Sequence, residues 1–164
     1  MYKDCLILSE PLDLPYSIYT NECLDWLYNL YISEYKISSI LYNGKRVIMR
    51  EEPPQAGKDE SFMHLICGAN CKDVHEERAR RLLWAKNIIQ NAPCTYTCSC
   101  DKILIWEKNN RIKLFLKKYS YLVILEEKKD LLLFVTGYCV SGYNRKRDLT
   151  KEFHECKKRF TSNV

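Results

Sequence analysis

The stretch KILIWEKNNRIKLFLKKYSYLVILEEKKDLLLFVTGYCV occupies residues 102–140 and decides the fold class. It contains four β-prone runs, at 102–107, 111–116, 121–125 and 131–140. The polar connections between these runs are short, whereas a parallel return needs a crossover of about a dozen residues or more. The stretch therefore predicts a meander of four antiparallel strands.

Helical patterns lie on both sides of this predicted sheet. Residues 20–35 repeat apolar side chains at helical spacing after Thr20 or Asn21 as the N-cap. The same spacing indicates a second helix over 74–91 and a terminal helix over 148–160. We expect an α+β fold in which helices precede a four-stranded antiparallel meander, with an N-terminal helix and β-hairpin and a C-terminal helix added.

The hairpin prediction depends on an Asn-Gly dipeptide at 43–44. It separates two β-prone runs and tolerates the positive φ angles of a two-residue turn, so we expect a hairpin over 37–50. The proline-rich, charged stretch 51–60 predicts a loop. We interpret this loop as the border between residues 1–50, packed on the main domain, and a main domain at 51–164.

Composition and charge narrow the class of protein. The chain has 164 residues, of which 46% are apolar and 29% are charged, as expected for one compact domain. Of the net charge of +5, +4 lies in residues 141–164, which hold seven basic and three acidic residues. Such a concentration suits a polyanionic partner, the alternative being a solvated basic helix. No apolar run approaches the length of a membrane span and no secretory signal begins the chain, so we expect a cytoplasmic protein without membrane contact.

The nine cysteines form two clusters without the usual spacing of a zinc site. Their odd number and the lack of a secretory signal favour reduced thiols and no bound metal. The alternative is a zinc-stabilised domain that uses Cys67, Cys71, Cys94 and either Cys98 or Cys100.

Arg78 is the most informative residue of the second predicted helix. On a helical wheel it falls at the centre of the apolar stripe, with Arg81 and Trp84 on the flank. An inward-facing arginine must find an anion or a cage of carbonyl groups, because an unpaired buried charge is costly. The alternatives are that Arg78 extends outward to solvent or pairs with an internal carboxylate.

The last predicted strand combines apolar residues with two hydroxyl groups. Strict alternation places five side chains on one face, namely Leu132, Phe134, Thr136, Tyr138 and Val140. At the edge of the covering helix, Thr136 and Tyr138 would meet Arg78 and Arg81 and form a phosphate cradle. The alternative for Tyr138 is an ordinary tyrosine on the sheet surface.

Only three histidines are available for proton transfer near neutral pH. His64 lies between apolar residues and is the candidate, the alternative being a satisfied core histidine, whereas His75 and His154 are interpreted as surface residues. The chain lacks a Gly-rich phosphate loop and the motifs of zincins and serine hydrolases. The remaining His, Arg, Thr, Tyr and Lys set suits metal-independent cleavage of RNA by its own 2′-hydroxyl.

An ordered series of short motifs adds a resemblance to a known superfamily. In chain order the motifs are Phe62-x-His64-Leu65, Arg78-x-x-Arg81-x-x-Trp84, Ile88-Ile89, Trp106, Val135-Thr136-Gly137-Tyr138, Arg145-x-Arg147 and Lys151-Glu152. This series, over about residues 40–160, resembles phage-type nucleases of the barnase, EndoU, colicin and RelE superfamily. Gly137 departs from the pattern, where a small residue such as Ala is expected.

The resemblance implies a ribonuclease of phage or toxin type that needs no cofactor. It assigns proton transfer to His64, phosphate binding to Arg78 and Arg81, and hydroxyl contacts to Thr136 and Tyr138. RNA is the expected partner, with a protein inhibitor as a further one, and we expect RNA-binding roles for Trp84, Arg145, Arg147 and Lys151. The competing hypothesis is a noncatalytic module that binds nucleic acid or protein through its basic C-terminal helix.

Overall fold

A computed structural model of the protein describes residues 8–68, 73–92 and 103–161, with side chains through Lys158. The helices of this part are α1 (Asn21–Tyr31), a π-helical continuation (Ile32–Ile37), α2 (Glu60–Ile66), α3 (Glu76–Arg80), α4 (Trp84–Asn91) and α5 (Tyr143–Thr161). The strands are β1 (Ile40–Tyr42), β2 (Lys45–Ile48), β3 (Ile103–Lys108), β4 (Arg111–Leu116), β5 (Tyr121–Glu127) and β6 (Leu131–Cys139), with a 3-10 turn at Lys117–Tyr119. None of these helices is both long enough and apolar enough to cross a bilayer.

The α+β class is confirmed, but the sheet is larger than predicted. It has six strands in the order β1-β2-β6-β5-β4-β3 and is mixed. The strands from β3 to β6 pair antiparallel in chain order, whereas β2 pairs parallel with the start of β6. The predicted run of four antiparallel strands is therefore present, but the prediction that it forms a sheet of its own was wrong, because the β1–β2 hairpin extends the sheet. The helical segments between β2 and β6 supply the long crossover that a parallel pair requires.

Two predictions for the N-terminal part are confirmed, namely the N-cap of α1 and the hairpin turn. The Thr20 hydroxyl accepts a hydrogen bond from the Cys23 amide at 3.3 Å and so caps α1. The dipeptide at 43–44 turns the β1–β2 hairpin with φ angles of +49° and +76°. At the other end of the chain, α5 begins at Tyr143, before the predicted start at residue 148.

The second predicted helix, over 74–91, is interrupted between α3 and α4. The Tyr35 hydroxyl donates to Leu82 O at 2.5 Å and accepts from the Lys86 amide at 3.1 Å. In an unbroken helix these two backbone groups would bond to each other, because they are four residues apart. The inserted hydroxyl separates them and breaks the helix. The prediction of one continuous helix was wrong for this reason.

The start of α2 is held by a buried carboxylate. Asp59, which is 8% exposed, accepts hydrogen bonds from the hydroxyls of Tyr28 and Tyr31 and pairs with Lys36 at 3.0 Å. These partners come from α1 and its π-helical continuation. A buried carboxylate needs such partners, because its desolvation is otherwise costly. The contacts fix the position from which α2 begins.

A β-bulge in β6 changes which face its side chains occupy. Leu125 pairs with Phe134 and Ile124 pairs with Thr136, so Val135 is the extra residue. Leu132 and Phe134 therefore pack in the core formed with α1, α2 and α4, whereas Thr136, Tyr138 and Val140 lie on the face that α5 covers. The predicted single face for these five side chains was wrong, because one extra residue reverses the alternation.

The Tyr35 insertion gives a stability prediction. Tyr35→Phe leaves Leu82 O and the Lys86 amide without the hydroxyl, so the free energy of unfolding should fall by about 1–3 kcal/mol. Urea unfolding followed by circular dichroism measures this change. Tyr42→Phe is the matched control, because Tyr42 is similarly buried and its hydroxyl bonds to no described residue. Equal unfolding midpoints for the two variants would show that Leu82 and Lys86 bond to each other once the hydroxyl is gone.

Candidate active site

The site forms along the part of β6 that β2 does not cover. β2 pairs only with Leu131–Leu133, so the backbone farther along this edge meets α2 and α3 instead. His64 Nδ1 lies 3.2 Å from Val135 O, and Arg78 Nη2 donates to Gly137 O at 3.4 Å. His64 and Arg78, both predicted from the sequence as site residues, thus contact two carbonyl groups on the same edge of β6.

The hydrogen bond of His64 assigns its tautomer. A carbonyl oxygen can only accept, so Nδ1 carries the proton and Nε2 of the neutral ring carries the lone pair. Nε2 lies 3.8 Å from Glu60 Oε1, one turn earlier on α2. The two side chains are only 18% and 16% exposed. The arrangement places a carboxylate and an oriented imidazole side by side, which are the groups that acid–base chemistry needs.

Arg78 is held in a cage of backbone carbonyls. Besides Gly137 O, its guanidinium donates to Leu65 O at 3.3 Å and to His64 O at 2.5 Å. The sequence predicted an anion or a carbonyl cage for this residue, and the cage is confirmed. Burial lowers the pKa of Arg78 from its ordinary value, but an arginine so close to carbonyl dipoles keeps its charge.

Two neighbours shape the exposed side of the Arg78 guanidinium. Arg78 Cζ lies 5.5 Å from the ring centroid of Tyr138, in cation–π geometry. A Cβ atom at Gly68 would lie 3.7 Å from Cζ and Nη1 of Arg78 and 3.8 Å from Nη2, so the glycine lies close against the guanidinium. No described residue accepts a hydrogen bond from Nη1. We call Glu60, His64, Arg78 and Tyr138 the β6 cluster.

Arg81 and Thr136 lie outside the β6 cluster. Arg81 donates to the backbone and the carboxylate of Glu77, and this hydrogen bond raises the pKa of Arg81. Its Nε is buried without a partner among the described residues. Thr136 faces α5 because of the bulge. Of the predicted cradle, His64 and Arg78 meet at the edge of β6, and Tyr138 reaches Arg78 with its ring although it shares the face of Thr136. Arg81 pairs with Glu77 instead.

Trp84 belongs to the protein interior. It is 6% exposed, and its indole N–H donates to Ser9 O at 2.9 Å. The Tyr119 and Tyr121 rings contact it edge-on at 5.7 and 5.6 Å, and Arg81 Cζ lies 5.0 Å from its ring. A buried ring with these neighbours holds Arg81 in place and offers little surface to an RNA base.

Gly137 departs from the expected Ala because β6 passes close to its neighbours. A Cβ atom at this position would lie 3.1 Å from both Ala85 Cβ and Tyr121 Oη. Such contacts are closer than ordinary van der Waals distance, so glycine lets β6 approach α4. The approach keeps Gly137 O within reach of Arg78.

Cations from two elements surround Cys139 at the end of β6. Desolvation raises the pKa of its thiol, while Arg81, Arg78 and Lys146 oppose that rise. Arg78 and Arg81 come from the α3 region, whereas Lys146 belongs to α5. The carboxylate of Glu77 adds to the rise, so the Cys139 thiol lies near charges of both signs.

The three α5 residues expected to bind RNA are all exposed, but they differ in position. Arg147 and Lys151 line a groove of about 530 Å³ between α5 and the end of β4, whereas Arg145 is not among its lining residues. Their ion pairs within the helix are long, at 3.8 Å for Arg147 with Asp148 and for Lys151 with Glu155. Such exposed pairs hold their cations weakly.

The zinc alternative loses one of its ligands. Cys67 is disulfide-bonded, so the expectation of reduced thiols was wrong for this residue and it cannot bind zinc as a thiolate. The other cysteines of that set, Cys71, Cys94, Cys98 and Cys100, lie outside the described residues. Within the described ranges, no three His, Cys, Asp or Glu side chains are grouped as metal ligands.

Sequence reasoning missed Glu60 and the groove residues Lys117, Tyr143 and Lys146. Glu60 had a signal, because a carboxylate four residues before a histidine lies on the same helical face. The groove residues had none, because only the folded sheet brings the β4–β5 turn to α5.

Comparison with family models, curated proteins and solved structures finds no match to this chain. The resemblance to the nuclease superfamily stays a prediction. We therefore infer the function from the geometry of the β6 cluster and of the groove.

The carbonyl cage predicts that Arg78→Lys destabilises the fold. A lysine has one ammonium group and cannot reproduce the contacts that Nε and Nη2 make with three carbonyls, so we expect a loss of about 1–3 kcal/mol. Urea unfolding measures it, with Arg46→Lys on the exposed side of β2 as the control. An equally small effect at both positions would contradict the cage.

Proposed function

We propose that the protein is a metal-independent ribonuclease in which the substrate's 2′-hydroxyl attacks the adjacent phosphate. The observation that carries this proposal is the pairing of Glu60 with an oriented His64 beside the Arg78 guanidinium. Such cleavage requires one group to accept a proton, one to donate a proton and a cation for the phosphate. The β6 cluster supplies all three groups, with Glu60 and His64 from α2 and Arg78 from α3.

The proton transfers balance within the β6 cluster. The Glu60 carboxylate accepts the proton of the 2′-hydroxyl as its oxygen bonds to phosphorus. The protonated His64 donates its Nε2 proton to the 5′ oxygen as the bond from that oxygen to phosphorus breaks. The step leaves a neutral carboxylic acid, a neutral imidazole and a 2′,3′-cyclic phosphate. The reverse transfers serve hydrolysis of the cyclic product by water.

Arg78 and Tyr138 act on the charge that develops at the phosphate. Nη1 donates to no described residue, and we assign this nitrogen to a phosphate oxygen. The other nitrogens are committed to carbonyls, so the cation is oriented before substrate arrives. The Tyr138 ring, at 5.5 Å, packs against the same guanidinium in cation–π geometry.

A noncatalytic nucleic-acid-binding module is the second candidate. It is favoured by the groove beside α5, where Arg147 and Lys151 lie on the sheet face opposite to α2 and α4. Such a module would bind RNA equally well with any substitution at His64. Cleavage is therefore the measurement that separates the two functions.

The first test measures cleavage of single-stranded RNA in excess EDTA. His64→Asn keeps an N–H donor for Val135 O but cannot transfer a proton near neutral pH, whereas His64→Ala loses both properties. We expect both variants to cleave at least about 100-fold more slowly than wild type, and products with 2′,3′-cyclic or 3′-phosphate ends. His75→Asn, at an exposed position, is the matched control and should cleave normally.

Either of two results would contradict the proposal. One is cleavage by His64→Asn at the wild-type rate, and the other is the absence of cleavage by folded wild-type protein on several RNAs. The second result favours the binding module.

The second test concerns Glu60. Glu60→Gln keeps the size of the side chain but removes its ability to accept a proton, so kcat should fall by about 100-fold or more. Cleavage by Glu60→Gln at the wild-type rate would assign the base to another group.

A further inference from the structure

The groove beside α5 carries an excess of positive charge. Its lining includes Lys117 from the β4–β5 turn and Lys146, Arg147 and Lys151 from α5, and no described carboxylate lines it. Lys117 and Lys146 form no ion pair with any described residue, whereas Arg147 and Lys151 have only the long pairs given above. Such an excess of cations favours a polyanion as occupant.

The α5 carboxylates compensate the groove cations only weakly. Asp148 and Glu155 form the long, exposed pairs with Arg147 and Lys151, at 3.8 Å each. Glu152 instead accepts hydrogen bonds from Lys113 Nζ at 2.6 Å and from the Trp106 indole at 2.9 Å. Burial opposes its ionisation, but these hydrogen bonds keep the pKa of Glu152 below its ordinary value, and its charge compensates Lys113 rather than the groove.

The groove also offers aromatic surface, which distinguishes single strands from duplexes. Phe115 contributes to its wall, and Tyr143 at its mouth is 79% exposed. An unpaired base can stack on such a ring, whereas the bases of a duplex are already stacked and turned inward. At about 530 Å³ the groove admits a short stretch of strand but not a double helix.

Lys146 of the groove and Arg78 of the β6 cluster share one neighbour, Cys139 at the end of β6. Desolvation raises the pKa of the Cys139 thiol, and both cations oppose that rise.

We propose that this groove binds single-stranded RNA, with a base stacked on Tyr143 and the backbone phosphates bound by Lys117 and Lys146. The choice of RNA rests on the proposed function. The binding itself follows from the charge and the aromatic surface of the groove.

Fluorescence anisotropy with a labelled 12-mer of 2′-O-methyl uridine tests the inference, because this strand cannot be cleaved. Lys117→Ala combined with Lys146→Ala should weaken binding about 10-fold or more and make the salt dependence shallower by about 1.4 in log–log slope. Tyr143→Ala should weaken binding about 10-fold. Lys128→Ala combined with Lys129→Ala removes the same charge from the β5–β6 turn at the opposite end of the sheet and should have little effect.

The outcomes separate this inference from the proposed function. Equal weakening by the two lysine pairs, equal affinity for the strand annealed to its complement, or no binding by wild type at low salt would overturn the inference. Normal binding by His64→Asn supports the groove as a separate binding surface. If the strand binds as expected but wild type cleaves no RNA, the groove stands and the ribonuclease proposal fails.

Discussion

The uncovered edge of β6 is the constraint on which the rest of the structure depends. β6 has nine residues, but β2 pairs with three of them, and a buried carbonyl left without a donor costs about 1–3 kcal/mol. Side chains of α2 and α3 provide the missing donors at Val135 and Gly137. Both helices are thereby held against a strand that lies far from them in the sequence.

The same contacts give the β6 cluster its chemical character. A histidine that donates through Nδ1 to a carbonyl has its other nitrogen turned to Glu60, and an arginine fixed on three carbonyls keeps one nitrogen, Nη1, that donates to no described residue. Neither residue needs to reorganise before a phosphate arrives, which is the condition under which fixed charges stabilise a transition state best. In His64 and Arg78, the atoms that support the fold therefore differ from the atoms that are proposed to act on the substrate. A substitution at either position should remove one of these sets of atoms and keep the other.

Local features of the fold could be predicted from the sequence, and tertiary ones could not. The N-cap at Thr20, the hairpin turn at 43–44 and the antiparallel run of four strands follow from neighbouring residues. The inward position of Arg78 was visible in one helical pattern. The break in that helix depends on Tyr35, some fifty residues away, and the bulge at Val135 has no local signature. The groove joins a turn and a helix that no short motif connects.

The parallel pairing of β2 with β6 also sets the order in which the molecule folds. Arg46 pairs with Leu131, so the N-terminal hairpin finds its neighbour strand only once β6 is available. Because His64 and Arg78 are oriented by carbonyls of β6, a chain in which β6 has not yet joined the sheet holds every residue of α2 and α3 without their arrangement. The β6 cluster therefore forms late in folding, together with the long-range pairing of the sheet.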